Sequence, residues 1–398
     1  MKNSKVLGST LIIAGTSIGA GMLALPLASA GLGCFTSFII LLVMWLLMSY
    51  TALLMLEVHQ HAAKDATLHT LASQFLGRRG DMVATVSMLF LFYALCAAYI
   101  AGGGAQFNVK LTDWFHLAVP QEVGTILFTV IVATVVTFGT GSVDMVNRLL
   151  FSAKIVVLAI MLFFLTPSIN PANLVTMPIH QGLILSALPV IFTSFGFHGS
   201  IPAVVRYLDL DMKALRRVLI IGSALPLLIY ILWLLTTLGV LSQGVLLQNQ
   251  NLAAFVKTLS GSIESSQIGR AVSIFADLAL VTSFLGVSLG LFEFLGDSLG
   301  KGRGGLFIAL ITFLPPLGFA LFYPQGFITA LGYAAIALAV LAVLLPVAMV
   351  KVARKRYTGS GFYRAPGGGG ALVLTGLLGL VIIVSQVLIS FGIVPAIG

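Results

Sequence analysis

The sequence predicts an all-α integral membrane protein of eleven transmembrane helices, and three observations carry that expectation. Of its 398 residues, 59% are hydrophobic and only 8% are charged, a balance that soluble globular domains do not have. A helix needs about 20 apolar residues to cross a bilayer, and eleven stretches reach that length: roughly 6–31, 33–58, 81–107, 121–141, 147–166, 182–208, 215–240, 268–299, 304–323, 326–350 and 369–396. With the N-terminus inside, the cytoplasmic loops hold seventeen Lys and Arg, Lys301 and Arg303 among them, while the outer side keeps only Lys110, Lys257 and Arg270. That bias predicts a cytoplasmic N-terminus and a C-terminus on the far side. The net charge of +9 is thereby read as a topology signal helped by anionic membrane lipid, and no nucleic acid partner is expected.

The first stretch follows Lys2 and Lys5 as a signal peptide would, but it is too long and runs straight into a second span, so it reads as retained. Its centre is Gly15-Thr16-Ser17-Ile18-Gly19-Ala20-Gly21. In hydrocarbon every backbone N–H and C=O must find a partner, and three glycines with two hydroxyls at mid-depth do not suit a lipid-facing helix. Either these glycines admit a neighbouring helix, or the helix unwinds and offers its backbone to a ligand.

Span two ends at Glu57-Val58-His59-Gln60-His61, expected at the interface, and Gly77-Arg78-Arg79-Gly80 reads as a turn before span three. Span three carries Tyr93 and Tyr99 and closes on Gly102-Gly103-Gly104, which predicts close helix packing. In span five Lys154 lies two turns inside Arg148, where it either snorkels to the cytoplasm or is buried for function. Cys34 and Cys96 sit in apolar surroundings without metal or redox spacing and read as small buried residues.

Span six holds a second interruption, Phe192-Thr193-Ser194-Phe195-Gly196-Phe197-His198-Gly199-Ser200-Ile201-Pro202. It shares a Thr-Ser-x-Gly tetrad with span one, and each tetrad is followed within ten residues by a proline, Pro26 or Pro202. Interrupted spans five apart match a five-plus-five inverted repeat in which the two broken helices form the binding site. The units would be residues 1–170 (spans one to five), 171–350 (spans six to ten), and 351–398, a basic Gly-rich linker with an appended span eleven. Span eight carries Asp277 about nine residues from its outer end, followed by Thr282 and Ser283. An acid at that depth is expected to be functional or ion-paired.

A helix unwound at Gly15–Gly21 presents carbonyls from its first half and the amides of Gly19, Ala20 and Gly21 from its second. A zwitterion fits those poles, with its carboxylate on the amides and its ammonium on the carbonyls, and Ser194 and Phe195 add acceptors. Phe192, Phe195 and Phe197 are either ordinary packing or an apolar pocket for an aromatic side chain. His198 could bind a hydroxyl, carry a proton or cap freed backbone groups. No lysine follows the glycines as in a phosphate loop, and no spacing assembles a catalytic triad, so neither an enzyme nor a cofactor is expected.

The run Gly15–Gly31 and the run Phe192–Ser200 resemble the signature segments of the bacterial hydroxy/aromatic amino acid permease family, and the resemblance spans essentially the whole chain. Within that family it favours tyrosine: tryptophan-type members carry Val-Val and Met-Phe-Ser where this chain has Ser17-Ile18 and Met22-Leu23-Ala24. The family is similar to the amino acid–polyamine–organocation transporters, which implies a leucine-transporter-like fold with broken helices 1 and 6. It also implies import of an aromatic amino acid, L-tyrosine, by proton symport with alternating access across the bacterial inner membrane, with the C-terminus periplasmic. Substrate contacts would come from Thr16, Ser17, Ile18, Gly19, Ala20, Gly21, Tyr99, Ser194, Phe195, Phe197 and His198. In related folds a span-five lysine takes the place of a sodium ion between spans one and eight, so Lys154 is the implied proton-coupling residue, with Asp277 as partner or alternative carrier. Thr282 and Ser283 resemble the hydroxyl pair that holds sodium in sodium-coupled relatives, and keep a sodium-coupled or broader Trp/Phe transporter open beside the proton reading. A channel fits less well, because single deep ionisable residues are not rings lining a pore.

Overall fold

The computed structural model describes residues 2–116, 119–179, 182–249, 251–262, 266–299, 304–359 and 361–397; Lys301 and Arg303 of the charge argument lie outside them. The described residues fold into α-helices: α1 Lys2–Ser17, α2 Gly21–Ser29, α3 Cys34–His59, α4 Leu68–Phe115, α5 Gln121–Thr137 and α6 Thr140–Leu165. After two short turns, the second of them α7 Pro171–Leu174, come α8 Gly182–Ser194, α9 Ile201–Tyr207, α10 Met212–Val240, α11 Gln243–Gln248 and α12 Leu252–Gly261. The chain ends with α13 Ser266–Leu299, α14 Gly305–Phe322, α15 Phe327–Ala339, α16 Leu345–Arg356 and α17 Gly368–Ser390.

Nine spans among the described residues are long and apolar enough to cross a membrane, and the bent pair Ser4–Ser17 and Gly21–Ser29 supplies up to a tenth. The remaining expected stretch, 121–141, corresponds to α5, an apolar helix of 17 residues. The chain is a multi-pass membrane protein.

Helix ends follow the local chemistry. Thr67 accepts from the Thr70 amide and starts α4 earlier than expected, so the anticipated loop before span three is partly helical. At 48 residues a straight α4 would be about 72 Å long, far more than a bilayer needs, and Gly77 breaks it at φ 67°, ψ −160°, a conformation open to glycine. Asp211 caps α10 through the amides of Lys213 and Ala214, at 3.2 and 3.0 Å, and Asn251 caps α12 through Ala254 at 2.8 Å. α15 runs through a π turn at Val340–Leu344 into α16, and Pro346, which has no N–H to donate back into that turn, follows it directly.

The glycine run of α4 makes the close approach expected of it. A Cβ on Gly103 would run into the Phe128 ring, and one on Gly104 would come within 2.7 Å of the Thr125 backbone, so α4 and α5 touch through their main chains. α1 packs along α10, α2 along α8, and α6 along α13, which brings both interruptions to the centre of the molecule.

Glu57 and His59 differ from their interfacial expectation: both are buried. The linker after α16 folds over the end of α3 and covers Glu57, while His59 Nε2 bonds Ala66 O, 3.0 Å away in the loop that follows α3. Arg354 donates to both Glu57 oxygens at 2.7 and 2.8 Å, the Ala365 amide adds a third bond at 2.8 Å, and Gln60 exchanges bonds with the Tyr363 backbone. A carboxylate removed from water in this way is tolerable because its lone pairs are filled.

Candidate functional site

Both expected interruptions are present. α1 stops at Ser17 and α2 resumes at Gly21 with a 52° bend between them. α8 stops at Ser194, and the chain passes through a turn and a 3-10 segment, His198–Ser200, before α9. Helix ends release backbone groups that need partners, and the surrounding side chains supply them. The Tyr230 hydroxyl faces two freed carbonyls, donating toward Ser17 O at 2.6 Å and Ser194 O at 2.7 Å. Trp233 Nε1 donates to Met22 O at 2.9 Å. Ser194 Oγ donates to Gly21 O at 3.1 Å, and the hydroxyls of Thr16 and Ser200 bond at 2.8 Å. One break is stitched to the other.

Lys154 does not snorkel. It is 2% exposed, and its ammonium donates to Ile18 O at 2.7 Å and to Thr282 Oγ1 at 3.1 Å, tying the first break to α13. The Phe151 ring lies 4.6 Å from the same ammonium, a further stabilisation for a cation out of water. Ser283 faces the neighbouring residue of the break, its Oγ accepting from Ala20 N at 2.8 Å. That amide is thus held by protein, and of the glycines in the run Gly15, Gly19 and Gly21 border the cavity.

The breaks surround a cavity of about 580 Å³, a size suited to a small organic ligand. Of the residues expected to meet substrate or carry the ion, Thr16, Ser17, Ile18, Gly19, Gly21, Tyr99, Lys154, Ser194, His198, Thr282 and Ser283 line it. Ala20, Phe195 and Phe197 stand behind the lining: the two phenylalanines are fully buried, Phe195 edge-on to Tyr230 with ring centres 5.1 Å apart and Phe197 beside His198 at 4.9 Å. Asp277 is elsewhere. It forms an ion pair with Lys110 between α13 and α4, both side chains one-quarter exposed, rather than pairing with Lys154. The cavity reaches Leu11 and Ile12 of α1 and Asn147 and Phe151 of α6, toward the N-terminal ends of both helices. Beyond α2, the buried Trp233 ring packs against the buried rings of Phe255 and Phe275.

Sequence reading missed Thr51, Asn147, Phe151, Tyr230 and Trp233. A signal existed for two of them: Tyr230 and Trp233 are polar-tipped aromatics three apart in an otherwise aliphatic span, and each needs a partner when buried. Thr51 bonds His198 Nε2 at 2.8 Å from within α3, and nothing in its neighbourhood in sequence marks it.

Comparison with known proteins agrees with this geometry. Residues 2–386 match the tryptophan/tyrosine permease family. The chain is 44% identical over 400 residues to tyrosine-specific transport system 1 of Haemophilus influenzae, covering 98% of this chain and 99% of that one. It is 41% identical over 406 residues to tyrosine-specific transport system 2 of the same organism, with complete coverage of both. A tryptophan-specific transport protein of Pseudomonas aeruginosa is 34% identical over 405 residues, 99% of this chain and 97% of that one. Matches of this extent, over a chain with two interrupted helices about a central cavity, place it: the chain belongs to the tryptophan/tyrosine permease family.

Proposed function

We propose that this membrane transport protein, an aromatic amino acid permease rather than an enzyme, imports L-tyrosine with a proton by alternating access across the bacterial inner membrane. In this reading eleven spans cross the bilayer, residues 1–170 and 171–350 are inverted repeats, and 351–398 add the linker and the last span. The N-terminus is cytoplasmic, the C-terminus is periplasmic, and the cavity is open toward the cytoplasm.

The observation that carries the reading is Lys154. Its ammonium sits between the Ile18 carbonyl and the Thr282 hydroxyl, the position a sodium ion would need in order to use Thr282 and Ser283 as ligands. A fixed cation there favours proton over sodium coupling, because two positive charges would compete for the same oxygens. Loss of the Lys154 proton weakens both bonds and frees the first break to shift against α13, which links protonation to access. The substrate carboxylate is placed on the amides of Gly19 and Gly21 at the start of α2, and the ring extends toward Tyr99, Ser194 and His198. Asp277, paired with Lys110, serves the outer side and not the proton.

Uptake of labelled tyrosine into proteoliposomes tests this. Saturable uptake that collapses with a protonophore and persists without sodium is expected, and Lys154→Gln should lose accumulation while retaining exchange. Uptake that survives the protonophore but vanishes without sodium overturns the proton assignment; full accumulation by Lys154→Gln overturns the role of the lysine.

A further inference from the structure

Six glycines border the central cavity among the described residues: Gly15, Gly19, Gly21, Gly196, Gly199 and Gly286. Four of them have protein lying against them. A Cβ added to Gly15 would meet the Phe151 ring at 3.0 Å, one on Gly19 the Ser283 hydroxyl at 2.6 Å, one on Gly21 the Ser194 backbone at 3.3 Å, and one on Gly196 the Thr193 carbonyl at 3.1 Å. At Gly199 and Gly286 nothing beyond the local chain stands within 4 Å, and neither has a positive φ. Gly199 lies in the irregular turn after the second break, where it weakens no long helix. Gly286 is in the interior of α13, where glycine is less stable than alanine because it loses more backbone entropy. Neither a packed neighbour nor an unusual backbone angle calls for it there. What that side of α13 faces is the cavity, and Gly286 is exposed to it.

Its position along α13 says what the space is for. Ser283, whose hydroxyl holds Ala20 N in the first break, precedes Gly286 by three residues, about 4.5 Å of helix. Gly286 is thus one turn away from the Gly19 and Gly21 amides, where the ring of a substrate falls and its carboxylate does not. On the neighbouring α4, Leu280 of α13 approaches Gly102, and Phe92 approaches Gly290 of α13, the paired positions lying ten residues apart on each helix. The two helices therefore run antiparallel in constant register, which sets Tyr99 level with Ser283 and Leu95 level with Gly286. All four line the cavity. We infer that Gly286 sets the size of the side-chain subsite: the substrate's ring lies against bare α13 backbone there, beside Leu95, and the width left by the absent side chain is what admits an aromatic amino acid. The inference rests on the aromatic amino acid reading above, and it adds a residue outside both broken helices to those that select the substrate. A slot of this kind discriminates by size, since one methylene more or less in an apolar pocket changes recognition about 10- to 200-fold.

Calorimetric titration of the detergent-purified protein with tyrosine tests it apart from transport. Gly286→Ala should bind tyrosine about 10-fold more weakly, while its substrate-free melting temperature holds or rises because alanine is the better helix former. Adding Leu95→Val to the same chain removes one carbon from the α4 side of the slot and should bring tyrosine back to within about threefold of wild type. Gly318→Ala in α14 is the control: an added Cβ there also meets nothing within 4 Å, but Gly318 does not line the cavity, and binding should match wild type. Unchanged tyrosine affinity in Gly286→Ala overturns the inference, and so does a loss that Leu95→Val fails to recover. A lower maximal uptake rate at unchanged affinity makes the glycine part of the passage instead of the subsite, and overturns it as well while leaving aromatic transport standing. No binding of any aromatic amino acid by the wild type overturns this inference and the functional reading together.

Discussion

Tyr230→Phe isolates the clamp between the two interruptions. The phenylalanine ring keeps the edge-on contact with Phe195, whose centre lies 5.1 Å away, so the change removes one oxygen and leaves the packing in place. That oxygen stands 2.6 Å from Ser17 O and 2.7 Å from Ser194 O. These are the last carbonyls of α1 and α8, freed because each helix stops there. One hydroxyl proton is shared between two acceptors, so the loss is that of a single good bond together with the burial of unpaired carbonyls, about 1–3 kcal/mol. If the clamp holds in the substrate-bound state, that energy appears as a rise of about 5- to 150-fold in half-saturating tyrosine. If it holds equally with and without substrate, it appears as a lower melting temperature in detergent instead. Concentration-dependent uptake in proteoliposomes and thermal unfolding of the same preparation separate the two. Ser194→Ala is the control: its Oγ also donates back to Val190 O within its own helix, and its loss should be milder. Unchanged half-saturation and unchanged melting in Tyr230→Phe would refute the clamp and leave the Thr16–Ser200 and Ser194–Gly21 bonds as what joins the breaks.

Three further outcomes follow from the geometry. A Cβ at Gly19 would come 2.6 Å from Ser283 Oγ, whereas one at Gly21 meets its nearest atom at 3.3 Å. Gly19→Ala should therefore displace the hydroxyl that holds Ala20 N and raise half-saturating tyrosine about tenfold, with Gly21→Ala less affected. Glu57→Gln should destabilise the protein by about 3–5 kcal/mol, measured by unfolding in detergent, because it leaves the Arg354 guanidinium without its bidentate partner. By contrast Asp209→Asn should lower melting at neutral pH only slightly, since the Lys64–Asp209 pair is exposed on both sides. Lys64 holds the Asp209 carboxyl below its usual range, so any contribution is present above the ordinary aspartate pKa and is lost as pH falls through the lowered one. Wild type and variant should converge in acid.

The two interruptions were legible because glycine, hydroxyl and proline residues at mid-span violate what hydrocarbon demands of a helix, and the violation is local. The depth of Lys154 was legible for the same reason. Its direction was not: snorkelling and burial differ only in which face of α6 meets α13, a long-range packing outcome that no window around residue 154 contains. Asp277 shows the same limit, since its depth announced a partner and its register along α13 chose Lys110. Thr51 and Tyr230 were invisible as site residues because their spans are uninterrupted, and their roles exist only through residues more than 30 positions away. Glu57 looked interfacial because the linker that covers it lies some 300 residues downstream, whereas His59 is met by Ala66, seven residues on.

The π turn at Val340–Leu344 makes one span keep two phases. An α-helix advances about 100° per residue, so a single surplus residue in a widened turn rotates everything after it by that angle relative to everything before. Upstream, Leu331 and Leu338, seven apart, present one face to the cavity; downstream, Arg354 presents another to Glu57. Shortening the chain by one residue in the turn would restore a regular helix and swing the guanidinium about a quarter-turn or more away from its carboxylate, with the cavity wall unmoved. The widened turn thus works as a phase coupling, letting substitutions tune the binding face and the linker contact separately although both ride on the same helix.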